Sequence, residues 1–439
     1  MGTILITNLA PIDDTGSRMF ETLFEASLAE GHQCVFWSCI HREEHSPYFL
    51  PMRWDIGLWE NLFSQDALKG YRGKVPPEAE EVWLPRLDRL CKQSVPRGRR
   101  RHLLSTLYAV SRAILDRIRP DLVLSWNPLC PHTGVLASLC RNRRIPVLLL
   151  ERGPLPNTWY LETGGLLGHG ELAGKSLESL VPEKELPHLL EIGKDVLRNL
   201  CSKAFNSYPQ RVGTERFENL AGRETRDAAK IAFFPPDDTS LGFSPSNGRD
   251  RIRSLPGYES SYAAAIALAS SNPGGNTLFK PHPSFMEETF PDVHESGLVL
   301  VEEDFRRLID WSHVVATTGS GLQLLAMAAD RPVISMGVDL LVGKGITYEA
   351  PRADVLPAAL ADALRGTEYE KRYERFLVFM GFLMHHYLLS MHAPYSRKPD
   401  RAIREVCRVY LSRSEEPARP EAFSPKRDRL VVPEGMALT

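Results

Sequence analysis

The sequence predicts an α/β protein made of two Rossmann-like domains whose parallel sheets face a central cleft, with a C-terminal helix crossing back to the first domain. Three observations predict it. Short apolar runs such as Ile4-Leu5-Ile6, Leu122-Val123-Leu124 and Val314-Val315-Ala316 have the length of buried parallel strands. Segments with helical periodicity separate them, and the same alternation returns in the second half of the chain. Residues suited to chemistry collect just after the strands, where open α/β sheets bind ligands.

The totals narrow the class. The 439 residues exceed one typical domain, and 43% apolar with 25% charged residues is an ordinary globular composition. A net charge of −2 gives no reason to expect a nucleic-acid partner. The seven cysteines are scattered without a C-x-x-C pair, which fits reduced thiols in a cytoplasmic protein. The chain starts on strand-like residues with no basic leader, and no run reaches the roughly 20 apolar residues of a membrane span.

In the first half, Thr3 to Asn8 reads as a strand, Met19 to Ala29 as a helix ended by Gly31, and Cys34 to Trp37 as the second strand. Asp13 and Asp14 in the first turn fit a helix N-cap better than a ligand site. The segment from Pro47 to Gln93 reads as an irregular excursion over the surface. Arg97-Gly98-Arg99-Arg100-Arg101 could touch anionic membrane lipid or a polyanionic product, although a solvated helix start is the simpler reading. Pro146 to Leu150 is a buried strand that delivers Glu151-Arg152-Gly153 to its carboxyl end. A glycine-rich loop able to mould to a ligand, Asn157 to Gly170, carries Glu162.

In the second half, Lys230 to Phe234 is a strand ending at Pro235-Pro236-Asp237-Asp238-Thr239. Thr277 to Phe279 leads into Lys280-Pro281-His282-Pro283. Val314 to Ala316 leads into Thr317-Thr318-Gly319-Ser320-Gly321, then a helix from Leu322 to Ala329 and a strand from Pro332 to Met336. A small-residue loop that opens a helix after a strand aims backbone N–H groups at an anion, and Lys280 and His282 would add donors to the same crevice. Tyr369 to Met391 reads as a packed helix; His385 and His386 within it point about 100° apart and do not suit one metal. Domains are expected over 1–205 and 206–370, with crossing helices over 371–412 and a disordered tail over 413–439.

No cluster has metal-ligand spacing, and neither a P-loop nor a G-x-S-x-G elbow is present, so no metal or cofactor is expected. Phosphate donors on one wall of a cleft and carboxylates at strand ends suit group transfer from a nucleotide-activated sugar, as in the GT-B architecture.

The four motifs Glu151-Arg152-Gly153-Pro154-Leu155-Pro156, Phe234-Pro235-Pro236-Asp237-Asp238-Thr239, Lys280-Pro281-His282-Pro283 and Thr318-Gly319-Ser320-Gly321-Leu322-Gln323 occur in the order seen in capsular polysaccharide synthesis proteins. Over about residues 120 to 340 the chain resembles their retaining β-Kdo glycosyltransferase branch. The resemblance implies a CMP-Kdo donor, or another CMP-activated ulosonic acid. It implies a glycan or lipid-linked acceptor for a bacterial surface polysaccharide, in capsule or lipopolysaccharide synthesis. It makes residues 1–205 the acceptor side and 206–370 the nucleotide-sugar side. Lys280, His282, Thr318, Gly319, Ser320, Gly321 and Gln323 would then hold the nucleotide. Asp238 would be the nucleophile, with Asp237 its alternative, and Glu151 the acid/base. Arg152, beside Gly153, would pair the Kdo carboxylate. Glu162 stands for the acidic residue of the following loop. The chain departs from the family at Ala329-Asp330-Arg331-Pro332-Val333, where Gly-Lys-Pro-Val is usual.

The expected location is cytoplasmic, with peripheral contact to the inner membrane or to capsule assembly proteins. Two other functions fit the same architecture. One is a sugar-nucleotide epimerase, which would consume UDP-GlcNAc without an acceptor. The other is a nucleotide-sugar-binding scaffold in capsule assembly, which would bind CMP and yield no product.

Overall fold

A computed structural model describes residues 2–8, 14–38, 49–51, 75–90, 97–126, 131–155, 157–165, 167–202, 217, 228–238, 241, 252–282, 297–391 and 395–411. Asp13, Thr239, Pro283, the expected tail over 413–439 and all of the 206–226 segment except Phe217 lie outside them, as do the side chains of Asp14 and Arg97 to Arg99. The chain forms two compact units. One is Met1–Gly153, Asn157–Thr163 and Leu389–Thr439; the other is Pro154–Pro156 and Gly164–Leu388.

The first unit runs β1 (Thr3–Asn8), α1 (Asp14–Ala29), β2 (Gln33–Ser38), β3 (Phe49–Pro51), α2 (Pro77–Leu90), α3 (Arg97–Ile118), β4 (Leu122–Trp126), α4 (Pro131–Asn142), β5 (Val147–Arg152) and β6 (Trp159–Glu162). Its sheet has the order β3-β2-β1-β4-β5-β6, parallel except for the antiparallel β5–β6 pair. Both faces are covered. Ile4, Ile6, Leu122, Leu124, Leu148 and Leu150 pack with Met19, Phe20 and Leu23 of α1. Leu5, Val35, Trp37 and Val123 pack on the other side with residues of α2, α3 and α4. Burial on two faces is why these strands read as unbroken apolar runs.

Two local expectations are corrected here. Part of the supposed surface excursion is core: Val75 just before α2, and Ala79, Trp83 and Leu87 spaced by four along it, are all buried. The supposedly adaptable loop after Asn157 begins as β6. Gly153 N–H donates to Thr158 O (2.8 Å), and Leu389 exchanges backbone hydrogen bonds with Trp159 (2.9 and 2.8 Å).

The second unit contains α5 (Leu186–Ser202), β7 (Lys230–Phe234), α6 (Ser261–Ser270), β8 (Asn276–Phe279), β9 (Leu298–Leu300), α7 (Phe305–Trp311), β10 (Val314–Thr317), α8 (Leu322–Ala328), β11 (Val333–Ser335), β12 (Tyr348–Glu349), α9 (Leu356–Arg365) and α10 (Tyr369–Phe382). Its sheet is wholly parallel, in the order β12-β11-β10-β7-β8-β9. After α10 and one π turn the chain returns at Leu389 to the first unit, where α11 (Pro399–Tyr410) buries Ala402, Ile403 and Cys407 in the same cluster as β1 and α1.

The units divide between residues 153 and 164, not near 205, and the return falls at 389, not 371. The reason is burial: Leu172, Leu177, Val181, Leu189 and Ile192 sink into the second unit, and α5 packs along α10. The polar stretch after 205 looked like a linker but is not where the chain changes units. In each sheet the strand order reverses once, between β1 and β4 in the first unit and between β7 and β10 in the second. Those are the crevices where a doubly wound sheet takes a ligand.

Candidate functional site

The reversal point of the second unit is held by a buried carboxylate. Pro235 and Pro236 end β7 because neither has an N–H to continue the ladder. Asp238, 3% exposed, then accepts from the Ser261 N–H (2.8 Å) and from the Ser261 hydroxyl, both at the start of α6. The same hydroxyl lies 2.5 Å from Thr318 Oγ1. One side chain thus ties the end of β7 and the positive end of α6 to the loop after β10.

That loop is closed on itself. Thr317 Oγ1 donates to Phe234 O (2.8 Å) and accepts from the N–H groups of Gly319 (3.0 Å) and Ser320 (2.7 Å), which uses the full capacity of a hydroxyl. Gly319 takes a φ of 134°, open only to glycine. Two amides expected to face an anion therefore face Thr317, and α8 is a short helix of seven residues. Gln323, expected at the nucleotide, is 3% exposed, and its carbonyl oxygen has no partner among the described residues. Gly321 keeps open space where a Cβ would stand.

Asp237, past β7, and Lys280, past β8, both lie within electrostatic reach of His282. The Lys280 N–H extends the β8–β7 ladder by donating to Phe233 O (3.1 Å). Burial lowers the His282 pKa; the Asp237 carboxylate opposes that and the Lys280 ammonium adds to it. Burial also lowers the Lys280 pKa, against the pull of Asp304, Glu302 and Glu303 beyond β9. Two of those carboxylates have local structural work: Glu303 pairs with Arg307 (3.0 Å), and Asp304 caps α7 through Arg306 N–H (2.8 Å).

A second ionisable pair, which the sequence reading missed, lies past β11. Asp339 and Lys344 are both fully buried. Asp339 Oδ1 accepts from Leu341 N–H (2.8 Å); Lys344 Nζ donates to Leu172 O (2.8 Å) and Val342 O (3.2 Å) over the Phe379 ring. The visible signal is a lysine between two glycines, Gly343-Lys344-Gly345, inside an apolar run. Burial lifts the Asp339 carboxyl to about 6 and lowers the Lys344 ammonium to about 8, each drawn back toward its charged form by the other. Asp339 therefore favours the folded state when protonated, and that contribution is lost as pH rises through about 6. Lys344 favours it when neutral, and that contribution is lost as pH falls through about 8. Between those values two charges are buried together. Lys344→Met is expected to cost about 3 kcal/mol at pH 7.5 by stranding the Asp339 carboxylate. The loss should shrink at pH 5, where Asp339 binds a proton. Urea unfolding at both pH values checks this, and an equal loss at each would acquit Asp339.

Glu151, Arg152 and Gly153 belong to the first unit. Glu151 Oε1 accepts from the Arg152 N–H (2.8 Å). Strand register sets Thr7, Ser125, Leu149 and Glu162 in a row across β1, β4, β5 and β6, with Glu151 two residues further along the same face. Glu162 is buried within β6, so it is a strand residue and not part of a mobile loop. The hydroxyls of Thr7 and Ser125, also buried, have no partner among the described residues.

His385 and His386 do not gather a metal site. His386 Nε2 lies 2.8 Å from Glu185 Oε2, and His385 meets the His188 ring edge-on. Among the described residues no three His, Cys, Asp or Glu side chains form a metal-ligating group, and no helix is long and apolar enough to cross a membrane.

No family model matches the sequence, and no curated protein matches it. Among solved structures the chain is similar to the β-Kdo 2,7 transferase of KpsC from Thermosulfurimonas dismutans, at 12% identity over 93% of this chain and 99% of that one, with a TM-score of 0.40. It is similar to the β-Kdo 2,4 transferase of KpsC from the same organism, at 18% identity over 58% and 78%, with a TM-score of 0.38. The MnaA–UDP structure from S. aureus is similar over 97% of this chain and 100% of that one, at 12% identity and a TM-score of 0.31.

Proposed function

We propose that the chain is a GT-B glycosyltransferase that moves Kdo, or a related ulosonic acid, from a CMP donor to a bacterial surface glycan or its lipid-linked precursor, in the cytoplasm and with retention. One juxtaposition carries the proposal: Asp237 and Lys280, past β7 and β8, lie within electrostatic reach of His282, on the motifs that resemble the β-Kdo transferase branch. Lys280 and His282 would hold the departing phosphate, for which no metal is required.

Retention needs two displacements. A carboxylate attacks the anomeric carbon, the bond to the phosphate oxygen breaks, and CMP leaves with the electron pair. The acceptor hydroxyl then displaces the carboxylate and gives its proton to a general base, the role the resemblance implies for Glu151. The resemblance points to Asp238 as the nucleophile. Its oxygens are engaged by Ser261, whereas Asp237 is partly exposed and in electrostatic reach of His282. We therefore assign Asp237 as the nucleophile and Asp238 as its anchor.

The test is incubation with CMP-Kdo and other nucleotide sugars, with and without acceptor, reading nucleotide release and covalent mass gain. Consumption of UDP-GlcNAc without acceptor would make the protein an epimerase, and CMP binding without turnover of any donor a scaffold. The site also predicts a pH dependence. Burial lowers the His282 pKa, and a bound phosphate favours the imidazolium, so CMP should bind more tightly as pH falls. His282→Gln should weaken CMP about tenfold and flatten that slope, as for loss of one charge-assisted hydrogen bond. Calorimetric titration from pH 8 to pH 5.5 measures both.

A further inference from the structure

On the β11 side of the same crevice, a guanidinium and an imidazole from distant parts of the chain meet. Arg253 Nη1 lies 3.4 Å from His169 Nδ1. A guanidinium can only donate, so Nδ1 must accept, and the ring proton sits on Nε2. Among the described residues no carboxylate pairs with Arg253. A cation placed against a second group that can itself become cationic gains little without an anion to share.

The approach is enforced by the backbone. A Cβ on Gly168 would stand 2.3 Å from Arg253 O, and Gly168 N–H donates to Ser254 Oγ (3.3 Å). Ser254 fixes the pair's address. Its carbonyl accepts from Val338 N–H (2.7 Å), and a Cβ on Gly337 would meet both that carbonyl (2.8 Å) and Thr318 O (2.4 Å). Arg253 is thus one residue from the backbone that packs on Gly337 beside the Thr318 carbonyl, while Lys280 and His282 follow β8, on the other side of β7.

The geometry points to a second anion subsite in this unit, in which Arg253, with His169 beside it, takes a two-oxygen anion. A planar guanidinium suits a carboxylate or a phosphate equally, so the source is either the carboxylate of an acidic sugar or a further phosphate of the nucleotide. The subsite rests on the proposed donor site only for which of these ligands arrives.

The experiment compares full-length wild type with Arg253→Met, Arg253→Lys, His169→Gln and His282→Gln. Calorimetry reads the affinity for CMP, for CDP, for inorganic pyrophosphate, and for Kdo added to the CMP-loaded protein. Arg253 is exposed, so its variants should keep the wild-type Tm. If the anion is a sugar carboxylate, Arg253→Met weakens Kdo by about tenfold or more and leaves CMP unchanged. If it is a phosphate, the loss falls on CDP and pyrophosphate. Arg253→Lys should recover part of either loss. Unchanged affinities for all four probes in Arg253→Met, or no binding of any probe by wild type, would overturn the subsite. Failure of CMP alone, with Arg253-dependent binding of Kdo or pyrophosphate kept, would sink the donor assignment and leave the subsite standing.

Discussion

Gly193→Ala and Gly381→Ala are each expected to destabilise the second unit by about 3 kcal/mol, and by more if the helices cannot part. The two glycines face each other's helix across the α5–α10 contact. A Cβ on Gly193 would sit 1.8 Å from Leu377 O, and one on Gly381 would sit 1.9 Å from Leu189 O. The obstructing atoms are backbone carbonyls inside helices, so no rotamer change relieves them. The helices must separate and give up packing around Leu189, Ile192, Phe376 and Met380. Alanine's better helix propensity returns only about 1 kcal/mol. Because one separation relieves both clashes, the double variant should lose much less than the sum of the singles. Gly321→Ala is the control: its Cβ would meet nothing and its φ is −58°, so it should stay within about 1 kcal/mol of wild type. Denaturant unfolding of the four variants beside wild type measures this, and a wild-type midpoint for both single variants would refute the close crossing.

The sequence made the sheets legible because their strands are buried on both faces, so Lys230–Phe234 and Leu122–Trp126 stand out as apolar runs. It also showed that Asp237, Lys280 and His282 lie just past strands, since Pro235-Pro236 and Pro281 punctuate those ends. What it hid depends on partners far away in the chain. Whether a carboxylate reacts or anchors a helix start turns on Ser261, 23 residues from Asp238. Whether loop amides face a ligand or a side chain turns on the rotamer of Thr317. Arg253 and His169 are 84 residues apart and share no motif. The α2 helix was masked by its prolines, although its buried positions Ala79, Trp83 and Leu87 repeat every four residues.

Asp237→Ala is expected to lower transfer by roughly four orders of magnitude while CMP affinity changes only a few-fold, as when a nucleophile is removed from an intact site. Asp238→Ala should instead act first on stability. It would strand the buried Ser261 N–H, leave the Ser261 hydroxyl with Thr318 alone and remove a negative charge from the start of α6, at a cost of about 3 kcal/mol. For a unit of this size that is a fall in Tm of roughly 6–12 °C. Asp238→Asn keeps the shape and one acceptor, so it should recover much of the stability and an appreciable share of the turnover. The contrast follows from what each carboxylate would have to give up. To become an ester, Asp238 must release Ser261 at the start of α6 in every catalytic cycle, whereas Asp237 lies in electrostatic reach of His282 with that anchor left in place. Donor incubation followed by peptide mass mapping decides between them. An adduct on Asp238, with a stable but inactive Asp238→Asn protein and an active Asp237→Ala protein, would reverse the assignment and require the Ser261 contact to open during turnover.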